Sequence, residues 1–504
     1  MKPFRILAFI LPAAYILLYV VLAVLRIGYP FELEWQEGSM VDHVQRVMNG
    51  QPLYVAPSVD WVPAIYPPLY YWIGAAASFI TGIGFLPLRI ISLLASLGCM
   101  AILFSFVKRE SGKIWSGLLA AGLFAAIYRL GGAWFDLARV DSLFLFFLLA
   151  GMYVMRFHAT RAGYILTALL AALAVMTKQT ALVPALLLFA YGIWKRKEHG
   201  LWLSGSLAVL IGFPYIVLNA ATDGWFLFYV FEMPAGHSLI GQAFAEFWLH
   251  DLFRPLPIAV LGAVLFVFTI WNKSKDRWFY LLWTVGLILA AWLPRVKDGN
   301  YANDLMPAYA LLALLFGLAA SVFEGRSQEI QNAISAHEPA RAHIAIWSGL
   351  ILYGAVLLQF ASLYYRPQEQ LPTDADRAAG ESLLTKIRQF DGEVWIGHHG
   401  YLGSLAGKRM YASALPIYDI LRADSESAKS LLLNSIEQAL KGKRFAAVFT
   451  DNDRFVMLND FREYERKFAV FTDPAVFWPV SGAPTRPMRI YTPVAQAKYD
   501  SPGQ

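Results

Sequence analysis

The chain of 504 residues has little charge and almost no cysteine. Asp, Glu, Lys and Arg make up 15% of it against 58% hydrophobic residues, which leaves too little polar surface to cover a water-soluble globule of this length. A soluble enzyme is therefore excluded. The single cysteine, Cys99, lies inside the apolar run "LRIISLLASLGCMAILFSF", so no intrachain disulfide supports the fold. His/Cys metal spacings, a phosphate-binding Gly-rich loop and a Gly-x-Ser-x-Gly elbow are all missing. So are tandem repeats and a transporter-like pair of interrupted spans. The formal net charge is +6, but the basic residues sit in short clusters between apolar runs and form no continuous face for nucleic acid.

What is present is a series of apolar runs of bilayer length. They begin near Phe4, Leu86, Ile114, Asp141, Gly163, Thr180, Leu201, Pro255, Trp278, Asn303 and Ile344, which predicts about eleven transmembrane helices. The first run follows a charged start with no small-residue cleavage site after it, and reads as an uncleaved signal anchor. The loops "VKRESGK", "MRFHATR", "WKRKEHG", "NKSKDR" and "EGRSQEIQNAISAHEPARA" are short, basic and on one side, which the positive-inside rule makes cytoplasmic together with the amino terminus. The segment Tyr66 to Gly84 opens on Pro67-Pro68 and is short. Counting it as a span would put every later basic cluster outside, so it is expected to lie along the outer interface as a juxtamembrane helix.

After "YYRP" the pattern changes. Residues 1–365 form the expected transmembrane domain and 366–504 a soluble α/β domain on the periplasmic side. In the latter, amphipathic helices "DADRAAGESLLTKIRQF" and "SESAKSLLLNSIEQALKG" alternate with strands "EVWIGH", "FAAVFT" and "KFAVFT". Asp451 and Asp453 follow "FAAVFT", a position where open α/β sheets gather ligands and where a helix cap or turn is the simpler reading. The tail "FWPVSGAPTRPMRIYTP" offers aromatic and cationic groups to a sugar, though ordinary packing accounts for them equally.

Polar residues collect in the outer turns. "FELEWQEGSMVDHVQRVMNGQPLY" brings Glu32, Glu34 and Glu37 next to the end of the first span. Glu34 and Glu37 are three apart, on one face at the start of a helix whose dipole favours negative charge. An amphipathic helix with an acidic start is one reading; a catalytic carboxylate is the other. "AWFDLARVDSLFLFFLLAG" places Asp136 and Arg139 before a span headed by Asp141, where charge is costly unless used or paired. Lys178 in "MTKQT" and Arg295, Lys297, Asn300 and Asn303 in "PRVKDGNYAND" add cations and amides on the same side. Cations there run against the positive-inside bias, and an anionic ligand such as a lipid-linked phosphate would account for them. Snorkelling of Lys178 and a solvated loop around Arg295 and Lys297 are the plain alternatives. His237 and His250 fit as interfacial polar residues.

Taken in order, "EWQEG", "RVMNGQPLY", "YPPLYYW" and "ARVDSLF" resemble the GT-C superfamily of polyprenyl-phosphate-sugar glycosyltransferases. These include the lipid A aminoarabinose transferases, protein O-mannosyltransferases and arabinofuranosyltransferases. The resemblance covers roughly the first 190 residues, with a weaker echo in "VKDGNYANDLMPAYALLALLFG". It implies an enzyme of the bacterial inner membrane that moves a sugar from a polyprenyl-phosphate donor to a glycolipid, polysaccharide or protein acceptor at the outer face. Glu37 is implied as the general base, with Glu34 second. Asp141 is implied as orienting the acceptor or, with Glu37, holding a divalent metal (Mg or Mn) if one is used. Donor and acceptor binding is implied for Asp136, Arg139, Tyr66, Lys178, His237, Arg295, Lys297, Asn300 and Asn303. Many relatives carry an adjacent Asp-Glu pair where this chain has Gln36-Glu37. A transporter of a lipid-linked anion and a non-catalytic glycan-binding scaffold are the alternatives from other classes.

Overall fold

A computed structural model of the chain describes residues 2–195, 198–273, 276–334, 339–452 and 463–494. Asp453 and parts of three basic loops lie outside them. The expected apolar runs become helices: α1 (Lys2–Arg26), α4 (Phe85–Ser111), α5 (Ile114–Ala126), α6 (Asp141–Phe157), α7 (Arg161–Thr177), α8 (Leu182–Lys195), α9 (Glu198–Ala221), α10 (Pro257–Lys273), α11 (Arg277–Arg295), α12 (Met306–Ile334) and α13 (Pro339–Ser362). Two further helices, α2 (Glu37–Met48) and α3 (Leu69–Thr81), lie between the first and second of these. The molecule is a multi-pass membrane protein.

Among the described residues, five helices are long and apolar enough to cross a membrane unaided, or six if the bent pair Ala243–Phe253 and Pro257–Thr269 is one span. The others are shorter or more polar; α5 has 13 residues and runs into the turns before Asp136. Helix starts were thus legible in hydropathy, while their lengths are set by packing. α1 packs on α5 and α13, α4 on α5 and α6, and α7 on α6 and α9, while α12 runs through the middle, touching α4, α5, α10, α11 and α13. Small residues on α5 and α12 permit these close approaches. Cys99 is buried and free, as a core cysteine should be.

α3 carries Phe79 and Ile80 at its exposed end, in keeping with an interfacial helix. α2 is different from the solvated amphipathic helix that was one reading of its sequence. Glu37 through Val44 are all buried, enclosed by α3 on one side and by the C-terminal residues on the other.

Those C-terminal residues form a four-stranded sheet, β1 (Glu393–Ile396), β2 (Phe445–Thr450), β3 (Tyr464–Ala469) and β4 (Arg489–Pro493), in the order β1-β2-β4-β3. β1 and β2 are parallel, as a helical crossover requires; β4 is antiparallel to both its neighbours. Helices α14 (Asp374–Arg388), α15 (Ala414–Arg422) and α16 (Glu426–Lys441) complete the layer. α14 opens on a Thr373/Asp376 capping box, which fixes its first turn. The tail, with no alternating signal strong enough to mark a strand, supplies β4. The apolar residues of this layer share one cluster with Phe31, Leu33, Met40 and Val44 of the first loop.

Candidate functional site

The three first-loop glutamates have all left water, and each has a different environment. Glu37 is saturated. Its carboxylate accepts hydrogen bonds from Arg89 Nε (2.9 Å) and Nη2 (2.7 Å), from the Ala138 amide (2.7 Å) and from the Leu33 amide (2.7 Å). Burial would raise its pKa, but Arg89 and the two amides hold it below the ordinary carboxylate range. Gly38 follows because a Cβ there would stand 2.2 Å from the Tyr401 ring and 2.5 Å from Glu32 Oε1.

Glu34 has a free oxygen. Oε2 accepts from the Gln36 amide at 3.2 Å and faces Arg139 Nη1 at 3.7 Å, while Oε1 is buried with no hydrogen-bond partner. Burial, aided by the charges of Glu37 and Glu32, outweighs Arg139 and lifts its pKa to about 8. Glu32 faces the C-terminal layer. Its Oε2 lies 2.5 Å from His399 Nδ1, and Asp451 Oδ2 lies 3.1 Å from the opposite ring nitrogen.

Beside Glu34 opens a cavity of about 640 Å³. Trp35, Gln36 and Arg139, the neighbours and ion partner of Glu34, line it, while Glu34 itself does not. Along one side the lining is apolar, from Leu182, Val183, Leu186, Leu289, Trp292 and Leu293, and Leu186 and Leu293 are exposed on the helix surface. The other side holds Tyr66, Lys178, Lys297, Asn300, Asn303 and Asp304. Several buried polar atoms in the lining have no partner: Trp35 Nε1, Gln36 Nε2, Arg139 Nε, Gln179 Oε1 and Thr180 Oγ1. Orphaned groups of both kinds, donors and acceptors, are what a polar ligand would satisfy.

The structure separates the remaining sequence candidates. Asp141 accepts from Lys178 Nζ (2.7 Å) and Asn303 Nδ2 (3.0 Å), and its Oδ2 is left buried and unpartnered. Lys178 also donates to Asp304 Oδ1 (2.9 Å) and is therefore flanked by two acids, which leaves it no spare charge for a phosphate. It does not snorkel. Arg139 donates to the Tyr66 hydroxyl at 3.1 Å. Lys297 donates to the carbonyls of Pro234 and Ala235. His237 lines the cavity 3.4 Å from Asp419.

Two of the expected ligand-binding residues are elsewhere. Asp136 receives Arg26 Nη2 at 2.6 Å, Arg26 Nε at 2.8 Å and the Tyr128 hydroxyl, a buried set that ties the second outer turn to the end of α1 and does not reach the cavity. Arg295 is held by Asp251 at 2.7 and 3.0 Å and by Asn300 Oδ1, and its side chain is absent from the lining. The donor set also does not suit a metal. Glu37 is filled by four N–H donors, Oδ1 of Asp141 by Lys178 and Asn303, and among the described residues no group of three or more His, Cys, Asp or Glu is arranged to hold a metal ion.

Sequence reasoning missed Asp304, Arg89, His399 and Asp419. For His399 a signal existed: His398-His399 follow the end of β1, and Asp451 follows the end of parallel β2, the edge at which such sheets collect functional groups. For the others there was none, because their partners lie far along the chain.

With this geometry, the chain superposes on ArnT from Cupriavidus metallidurans bound to undecaprenyl phosphate, with a TM-score of 0.59, 14% identity, and coverage of 96% of this chain and 98% of that one. The chain has the GT-C glycosyltransferase fold. ArnT in its apo state aligns with a TM-score of 0.51 at 14% identity, covering 97% and 98%. The Archaeoglobus fulgidus oligosaccharyltransferase tethered to an acceptor peptide with an NVT sequon gives 0.51 at 14% identity, covering 87% of this chain and 69% of that one. Residues 66–218 match the model of the dolichyl-phosphate-mannose-protein mannosyltransferase family. No curated protein sequence matches. The GT-C resemblance read in the first 190 residues is thus borne out by fold, and the stretch that matches the family model includes Tyr66, Arg139, Asp141 and Lys178.

Proposed function

We propose that the chain transfers a sugar from a polyprenyl-phosphate donor to a glycolipid, polysaccharide or protein acceptor at the outer face of a bacterial inner membrane, with Glu34, in place of Glu37, as the proton acceptor. Residues 1–365 would form the transmembrane catalytic domain, and residues 366–504 the periplasmic layer that closes it. The observation that carries this reading is the two-sided cavity. Its apolar, laterally exposed wall suits a polyprenyl chain, its polar wall suits a phosphosugar, and Glu34 neighbours the lining residues Trp35 and Gln36.

In this mechanism the Glu34 carboxylate takes the proton from an acceptor hydroxyl as that oxygen bonds to the anomeric carbon. The bond from that carbon to the phosphate oxygen breaks, and its electron pair leaves with the polyprenyl phosphate. Arg139, which lines the cavity and has an unpartnered Nε, and Lys297, whose ammonium meets backbone carbonyls, are the cations suited to the departing phosphate. Asp141 and Asp304 position Lys178 and Asn303 below them. ArnT bound undecaprenyl phosphate and a related oligosaccharyltransferase bound dolichol phosphate, which supports a lipid-phosphate donor here. The test is transfer of a labelled sugar in membranes: Glu34→Gln should abolish it in protein that is folded and abundant, and normal turnover in that variant would refute the assignment of the base.

A further inference from the structure

The roof of the cavity comes from the other end of the chain. α15 buries Ala414, Pro416, Ile417 and Ile420, while Leu415, Pro416 and Asp419 line the cavity. Asp419 is therefore a carboxylate carried by the C-terminal layer into a space otherwise lined by residues 35–304.

Its situation there is unusual. The side chain is 7% exposed, yet its carboxylate accepts no hydrogen bond from the protein. The nearest group is His237 Nε2 at 3.4 Å, which is itself buried without a hydrogen-bond partner. An unsatisfied, buried histidine nitrogen facing a carboxylate at the cavity surface marks a place where polar groups of a ligand can bind. Burial pushes the Asp419 carboxyl up to about 7 against the opposing pull of Arg422, a sign of how little the protein solvates it. Tyr301, Trp134 and Trp35 continue the same wall toward Glu34, with Trp134 and Tyr301 stacked at 5.7 Å.

We propose that Asp419 and His237 form a saccharide-reading subsite, in which hydroxyl or amino N–H groups of a sugar ring donate to the Asp419 carboxylate while the ring lies against the aromatic wall. The inference rests on the glycosyltransferase reading. A carboxylate repels phosphate, so the group read here is the sugar and not the lipid head. The sugar belongs to either the donor or the acceptor, and both present the same hydroxyl chemistry.

The test is photo-crosslinking of the full chain in cells, with Leu415→p-benzoylphenylalanine placed in the roof and Glu34→Gln in the background. The expected adduct carries a saccharide, and its yield falls at least tenfold when Asp419→Ala is added, with partial recovery for Asp419→Asn. A saccharide adduct that contains polyprenyl phosphate identifies the donor; one without it identifies the acceptor. An adduct with lipid chain alone, no adduct, or a yield indifferent to Asp419→Ala at equal protein level and Tm would overturn the proposal. Crosslinking reads occupancy without turnover. A saccharide adduct beside undiminished transfer by Glu34→Gln therefore removes the base and leaves the subsite standing.

Discussion

Arg89 grips Glu37 through two hydrogen bonds, Nε to Oε1 at 2.9 Å and Nη2 to Oε2 at 2.7 Å, with neither side chain reaching solvent. The pair also closes on the first loop, since Arg89 donates to the carbonyls of Tyr29 and Phe31. Glu37 is thus fully engaged, whereas Glu34, three positions earlier, keeps an oxygen without a partner. Removing one partner of a buried pair strands the other charge, at a cost of about 3–5 kcal/mol. Glu37→Gln and Arg89→Gln should therefore lower thermal stability and yield of folded protein, measured by size-exclusion profile and Tm in detergent. Glu34→Gln should keep both and lose about 10²–10⁴-fold in kcat.

Activity should rise with pH. As the proposed base, Glu34 has to be ionised, and burial lifts its pKa to about 8, so kcat/KM should climb through that range and level off above it. Arg139 opposes the upward shift. Arg139→Gln should move the midpoint of the profile to still higher pH, besides weakening donor binding. A profile flat from pH 6 to 9 would speak against Glu34.

Donor binding separates the cations. Lys297→Ala and Arg139→Gln should each weaken retention of undecaprenyl phosphate about tenfold, as loss of a charge-assisted hydrogen bond implies. Arg295→Gln should leave retention unchanged and disturb only its Asp251 tie. Lys178→Gln would leave Asp141 and Asp304 facing each other uncompensated, and its loss should appear first as lowered Tm.

His399 should make the C-terminal layer alkali-sensitive. Burial favours the neutral ring, but Asp451 and then Glu32 overcome it and raise the pKa to about 10 from an ordinary value near 6.5. A raised histidine contributes its stability fully below the ordinary value and loses it as pH rises through the folded one. The Tm should accordingly decline between about pH 6.5 and 10, and His399→Gln should flatten that decline while lowering the Tm at pH 6.5.

How much was legible depended on sequence distance. The eleven helix starts and the strand Phe445–Thr450 follow from local periodicity, which a window of residues contains. The different environments of Glu34 and Glu37 did not, because that of Glu37 is set by Arg89 and Ala138, 52 and 101 residues beyond it. Asp136 and Arg295 read as ligands because charge near a membrane boundary invites that reading; their partners, Arg26 and Asp251, neutralise them from 110 and 44 residues away. Asp419 sits in a stretch with an ordinary amphipathic pattern, and only the packing of α15 over the cavity gives it meaning.

One seam sets the order in which the molecule becomes competent. Ser481 donates its amide to the Leu33 carbonyl at 3.0 Å, Trp134 Nε1 donates to its hydroxyl at 3.0 Å, and Gly482 has a φ of +81° in a corner where a Cβ would lie 2.4 Å from Trp35 and 3.1 Å from Glu34. At ribosomal rates of about 5–20 residues per second, the loop around position 33 is made roughly 20–90 seconds before the turn that shelters it. Until then Glu32 lacks His399, its partner from the C-terminal layer, while Glu37 can already meet Arg89 and Ala138. A polypeptide that stops short of this corner, however well inserted, would leave Glu34 and Trp35 uncovered, and the proposed chemistry should fail in it.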